Sequence, residues 1–137
     1  MSLRTAGPAD VDAVLAVLEI ARSPAARTRD DAAALERLLG HTPDALLVAE
    51  ADGRLVGVLM AAYDGWRGNL YRLAVLPEWR RLGIARALVE LGHERLRERG
   101  ARRVTVLADD GDEAAAELWR ASGYDLDVHM DRYVRNL

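Results

Sequence analysis

The stretch of this sequence best suited to chemistry is Arg80-Arg81-Leu82-Gly83-Ile84-Ala85-Arg86. It follows the apolar run Leu70 to Leu76 and the break Pro77-Glu78-Trp79, and it leads into residues of helical spacing. A helix that starts here exposes amides with no intrahelical acceptor, and its macrodipole puts partial positive charge at the same end. Gly83 and Ala85 keep side chains small where anionic oxygens approach the backbone. Arg80, Arg81 and Arg86 surround them with mobile positive charge. Such a cradle suits a pyrophosphate. The spacing G-x-x-x-x-G-K-[ST] is missing and no G-x-G-x-x-G follows the first strand, so ATP and dinucleotide readings lose their support.

Other chemistry-bearing residues read more plainly. His41, His93 and His129 show no metal-ligand spacing, so no metal is expected. His93 is placed on a solvated helix face, and His129 stands between Asp127 and Asp131 on an outward strand face. Asp109-Asp110-Gly111-Asp112-Glu113 reads as the capped, dipole-favoured start of a helix, with attraction of a cationic amine to the cleft as the sharper alternative. Arg95 to Arg103 reads as a helix tail whose cations suit its C-terminus.

The elements that must position the arginine loop follow from periodicity. Ser2 to Thr5 reads as a strand, and Asp10 is placed as the cap of a first helix carrying Val11, Val14, Leu15 and Leu18. Ser23 and Pro24 break it. Thr28 is the expected cap of a second helix with Leu35, Leu38 and Leu39 on its apolar side, ending at Gly40. Ala45 to Ala51 and Arg54 to Tyr63 flank Asp52-Gly53, which suits a type I′ hairpin. Leu70 to Leu76 is a strand stopped by Pro77. Ile84, Ala87, Leu88 and Leu91 then recur as the buried side of a helix ending near Gly100. Arg102 to Ala108 is a strand, Glu113 to Ala121 a helix capped by Asp112, and Leu126, Val128 and Met130 alternate with Asp127, His129 and Asp131 as a last strand reaching Tyr133. The order β-α-α-β-β-β-α-β-α-β contains two strand-helix-strand crossovers and predicts an α/β mixed sheet with helices on both faces.

Composition bounds the class. At 137 residues, half of them hydrophobic, one domain over residues 1–137 is expected, with a single core. There is no cysteine, which excludes thiol nucleophiles and disulfides and fits a reducing, cytoplasmic setting. No apolar run approaches the roughly 20 residues of a membrane span, so no membrane partner is expected. The net charge of −3 argues against nucleic acid as a partner. All nineteen basic residues are arginine, so lysine Schiff-base chemistry is excluded.

Leu73 to Ala85 resembles the acetyl-CoA motif of the GNAT superfamily of N-acetyltransferases, [Q/R]-x-x-G-x-[G/A], with Arg80, Gly83 and Ala85 at the defined positions. Ala115 to Tyr124 resembles the family's second signature, A-x-x-x-L-Y-x-x-x-G-[F/Y], through Leu118, Gly123 and Tyr124. The resemblance covers essentially the whole chain. It implies acetyl-CoA as co-substrate and an amine of a small molecule or protein N-terminus as acceptor. It also implies that Leu73, Ala74 and Val75 line the pantetheine arm and that amides from Arg81 through Leu82, Gly83, Ile84 and Ala85 to Arg86 hold the pyrophosphate. Val75 N–H would face the thioester oxygen as an oxyanion-type donor.

Departures from the pattern fall on the proton chemistry. Trp119 stands where the second signature has tyrosine, and an indole N–H is no general acid. Asn69 and Leu107 stand where family members carry a glutamate base. Tyr71, Tyr124 and Tyr133 are the substitutes that the sequence offers, each also readable as a packed aromatic with a hydrated tip. An acyl-CoA-binding module without catalysis is the competing expectation. A homodimer is expected by analogy with similar proteins.

Overall fold

The computed structural model describes residues 1–21 and 30–137. Strand β1 (Ser2–Thr5) is followed by a short 3-10 turn at Pro8–Asp10, helices α1 (Val11–Ala21) and α2 (Ala32–His41), and strands β2 (Leu46–Ala51), β3 (Arg54–Tyr63) and β4 (Gly68–Val75). A second 3-10 turn at Pro77–Trp79 leads to helix α3 (Ile84–Arg99), strand β5 (Val104–Val106) and helix α4 (Glu113–Ala121). The sheet runs in chain order from β1 to β5. Its first three pairings are antiparallel, and β4 and β5 are parallel. The expected mixed α/β sheet is therefore present, with one crossover, through α3.

Local signals explain most of these elements. Asp52 and Gly53 both adopt positive φ, +50° and +73°, as a type I′ turn requires, and they set the β2–β3 register. Asp112 caps α4 by accepting from Ala115 N–H at 3.0 Å. Gly100 ends α3 in the left-handed region. Two caps differ from expectation. Asp10 ends the 3-10 turn that precedes α1, and its carboxylate reaches back to Gly7 N–H at 2.8 Å while Arg4 grips both oxygens. Helix α2 is capped by Asp31, which accepts from Ala34 N–H at 2.7 Å; Thr28, like Ser23 and Pro24, lies outside the described residues. The helix runs one residue past Gly40 because His41 still fits its last turn.

The core lies along β3, where every residue from Leu55 to Ala61 is buried. A strand buried on both sides needs a cover on each face. Helix α3 covers the side of Gly57, Leu59 and Ala61. A Cβ at Gly57 would stand 3.1 Å from Ile84 and Leu88, and one at Gly92 would stand 3.1 Å from Leu59. Helix α1 covers the other face of β3 and β4.

The predicted last strand is absent. Residues 125–137 carry no strand, and Leu126, Val128, Met130 and Tyr133 stand exposed instead of alternating between core and solvent. β5 is likewise only three residues of the seven expected. The alternating pattern is real, but a strand exists only where another strand offers its backbone, and among the described residues none pairs with this segment.

Two outcomes follow. Gly57→Val should lower unfolding stability by about 1–3 kcal/mol through overpacking against Ile84 and Leu88, read from urea denaturation. Arg4 holds the Asp10 carboxyl down at about 2, below its ordinary 3.8. The pair therefore adds stability that is present above pH about 4 and lost as pH falls toward about 2. Asp10→Asn should flatten that part of the stability-pH curve.

Candidate active site

Strand β4 carries the irregularity that makes the site. Gly57 pairs with Val75 and Val58 with Ala74, but Met60 pairs with Tyr71, so Leu59 faces two residues, Arg72 and Leu73. This is a β-bulge, and Arg72 takes left-handed φ of +53° within it. The Arg72 guanidinium is held from the far side, its Nε donating to both Asp30 oxygens at 2.9 and 3.1 Å just ahead of α2. Parallel pairing with β5 stops at Leu70 and Val106, immediately before the bulge. Among the described residues, β4 from Tyr71 to Val75 thus has a strand neighbour on the β3 side and an open edge on the other.

The polarity of that edge follows from the ladder. Leu76 N–H donates to Val56 O at 2.9 Å. In an antiparallel pair, hydrogen-bonded and non-hydrogen-bonded residues alternate, so Val75 N–H and C=O point away from β3 into the gap. The Val75 carbonyl is taken by Arg80 Nε at 3.1 Å. Arg80 is therefore a strut that folds the arginine loop back onto β4, rather than the mobile charge its sequence position suggests. The Val75 amide stays directed into the gap.

Beyond Arg80 the chain reverses through two left-handed residues, Arg81 at φ +64° and Gly83 at φ +82°. The first amide to reach a helical acceptor is that of Ala87, bonded to Gly83 O at 3.0 Å. Among the described residues, no hydrogen bond is donated by the six amides from Arg81 to Arg86. Left-handed turns of this kind gather successive N–H groups into a concave anion nest, and the α3 dipole points into it. Leu73, Ala74 and Val75 thus lie along the open edge, while Arg81, Leu82, Gly83, Ile84, Ala85 and Arg86 form the nest at its end.

The tyrosines separate. Tyr71 alternates with buried Leu70, lies at the mouth of the gap and is 43 % exposed. Tyr124 packs on the edge of buried Trp119, and its hydroxyl meets His93 Nε2 at 2.6 Å. His93 lies nine residues beyond Ile84, about 14 Å along α3 at 1.5 Å per residue, so this pair is remote from the nest. Burial pushes the Tyr124 phenol up to about 12 and the His93 imidazole down. The expected solvated placement of His93 is wrong: its side chain is only 11 % exposed, because Tyr124 folds over it. Tyr133 is 93 % exposed in the unpaired C-terminal segment. Asn69 pairs with Thr105 in the sheet, and Leu107 stands exposed just after β5. Sequence reasoning missed the bulge, the Arg72–Asp30 pair and the Arg80 strut, since neither Arg72 nor Asp30 carries a residue-type signal for its role.

Residues 14–124 match the model of the acetyltransferase (GNAT) family. The chain belongs to this family. An acetyltransferase of Pectobacterium atrosepticum is 37 % identical over 91 residues, a stretch covering 66 % of this chain and 64 % of that protein; the chain thus spans just under two thirds of the relative's length. Among solved GNAT-like folds, a ribosomal-protein-alanine N-acetyltransferase from Brucella melitensis superposes with TM-score 0.76 at 25 % identity, over 90 % of this chain and 83 % of that one. AAC(6')-Iy, solved with the bisubstrate analogue CoA-S-monomethyl-acetylneamine, gives TM-score 0.76 at 17 % identity over 99 % of this chain and 98 % of that one. In this GNAT chain the parted strands and the amide nest coincide with the first signature, and buried Trp119 with the second.

A stability test separates strain from crowding in the nest. Among the described residues nothing lies within 4 Å of a Cβ built on Gly83, yet its φ is left-handed. Gly83→Ala should therefore still cost roughly 1–2 kcal/mol, whereas exposed Leu82→Ala should be close to neutral by urea denaturation.

Proposed function

We propose that residues 1–137 form one N-acetyltransferase domain that moves an acetyl group from acetyl-CoA to a primary amine of a small molecule or a protein N-terminus. The observation that carries the reading is the meeting of an open strand edge with six undonated amides at one helix start. The pantetheine arm, itself an extended chain of amides, would add along Leu73 to Val75 like a further strand, and the pyrophosphate would rest on the amides from Arg81 to Arg86. Arg86 and Arg81 add charge from the sides.

The thioester carbon then lies near Val75. Its N–H, aimed into the gap, stabilises the negative charge that forms on the carbonyl oxygen as a neutral amine attacks. The new C–N bond forms, the C–S bond breaks, and the amine's extra proton leaves to water. CoA departs as thiolate and takes up a proton. Of the three candidate tyrosines, Tyr71 alone stands on the stretch of β4 that β5 leaves unpaired, and we assign it that proton. Tyr124 has its hydroxyl committed to His93, and Trp119 packs in the core. The lack of cysteine favours a cytoplasmic setting. Among the described residues no helix is long and apolar enough to cross a membrane. The exposed apolar C-terminal stretch supports a homodimer.

The chain has no thiol of its own, so every thiol detected in an assay with acetyl-CoA is released CoA. Acetyl-CoA should raise the melting temperature, and a panel of small amines and N-terminal peptides should include at least one that releases thiol. Arg80→Ala should raise KM for acetyl-CoA several-fold. Tyr71→Phe should lower kcat by about 10²-fold or more with little change in KM, while Tyr124→Phe keeps kcat. Thermal stabilisation without turnover for any amine would leave an acyl-CoA-binding module instead.

A further inference from the structure

Positive charge borders the open stretch of β4 at both ends. Arg80, Arg81 and Arg86 stand at the start of α3, where the pyrophosphate would rest. Arg72 stands at the other end, next to Tyr71 and three residues from Val75, about 10 Å along a strand. Phosphates held at α3 leave Arg72 open to a second anion.

The way Arg72 is gripped keeps its outer fork open. Asp30 takes only Nε, with its two oxygens at 2.9 and 3.1 Å. Among the described residues, no hydrogen bond is donated by Nη1 or Nη2 of Arg72, and the side chain is 43 % exposed. Arg4 shows the contrast, since its Nη1 and Nη2 together hold the two oxygens of Asp10 at 2.8 and 2.9 Å. Arg72 carries the same planar fork, matched to two oxygens, with no carboxylate of the described residues in it.

Two restraints keep that fork still. The β3–β4 register holds the Arg72 backbone in left-handed φ, and Asp30 pins the guanidinium from ahead of α2. A long side chain is costly to order on binding, and here the ordering precedes the ligand. Left-handed φ at a non-glycine residue is strain of the kind that gathers at ligand sites.

We propose that Arg72 selects the acceptor by binding a carboxylate in its Nη fork, an inference that rests on the acetyl-transfer reading and narrows its acceptor to an amine with a carboxylate a few bonds from the nitrogen. The amine then lies on the thioester side of Arg72, beside Tyr71. A free α-amino acid and a peptide whose first residue is acidic share this chemistry.

The test measures thiol release from acetyl-CoA by the full chain with paired acceptors: α-amino acids against their carboxamides, and amidated peptides beginning with Asp or Glu against those beginning with Asn or Gln. In one of the two series the carboxylate member should be favoured by about 10- to 100-fold in kcat/KM, mostly through KM. Preference in the first series places the carboxylate on the α-carbon, and preference in the second places it on the side chain. Arg72→Gln should bring the carboxylate member down to the level of its neutral partner, whereas Arg72→Lys, with the charge but not the fork, should keep only part of the preference. Turnover of the neutral partner shows that the variants are folded. Turnover without preference for a carboxylate, or a preference that Arg72→Gln leaves intact, would overturn the inference while acetyl transfer stands. If no amine reacts, the transfer reading fails and binding decides: with CoA present, the N-acetylated carboxylate member should raise the melting temperature of the parent chain more than its neutral partner does, and should lose that advantage in Arg72→Gln. Equal shifts in the parent chain overturn the inference as well.

Discussion

The site depends on β4 parting from β5. Two strands in one sheet share every backbone group along their common length, and nothing remains for a ligand. Here the parallel pairing lasts for three residue pairs and ends where β4 bulges at Arg72 and Leu73. The bulge turns β4 without breaking its ladder to β3, so the strand stays rigid on one edge while the other opens. An open edge in the middle of a sheet is a place where an extended molecule carrying amides can bind as a strand would. The left-handed Arg72 is the local cost of this arrangement, and Asp30 holds its side chain from the start of α2.

The second requirement is that the start of α3 meets the end of that edge. Gly57 and Gly92 let the helix lie close on β3, and any larger residue at either place would meet side chains across the interface. Arg80 ties the loop to Val75 O, so the amide nest and the Val75 N–H are parts of one rigid corner. The anion cradle and the oxyanion-type donor are thus set by the same few contacts. This explains why a short motif can place two different kinds of donor at once.

Burial divides the proton-bearing side chains differently from sequence position. Tyr124 and His93 satisfy each other, with Trp119 edge-on to the Tyr124 ring, and desolvation favours the neutral form of both. That pair reads as structural: it fastens the end of α4 to the middle of α3. The replacement of a signature tyrosine by Trp119 fits the same picture, since the position here points into the core.

The sequence by itself determined the element order from β1 to α4, the Asp52-Gly53 hairpin, the strand-loop-helix cradle and the amides that it leaves unpaired. All of these follow from local periodicity, turn chemistry and helix-end hydrogen bonding, which need no distant partner. It was silent on the bulge, because Arg72 has no side-chain preference for left-handed φ; the register between β3 and β4 imposes it. It misplaced His93, since helical spacing tells which face a residue occupies but not what folds over that face. It also predicted a last strand from Leu126 to Tyr133 that the chain does not pair. Alternation records what a segment would bury, whereas a strand exists only when tertiary or quaternary structure brings another backbone within hydrogen-bonding reach.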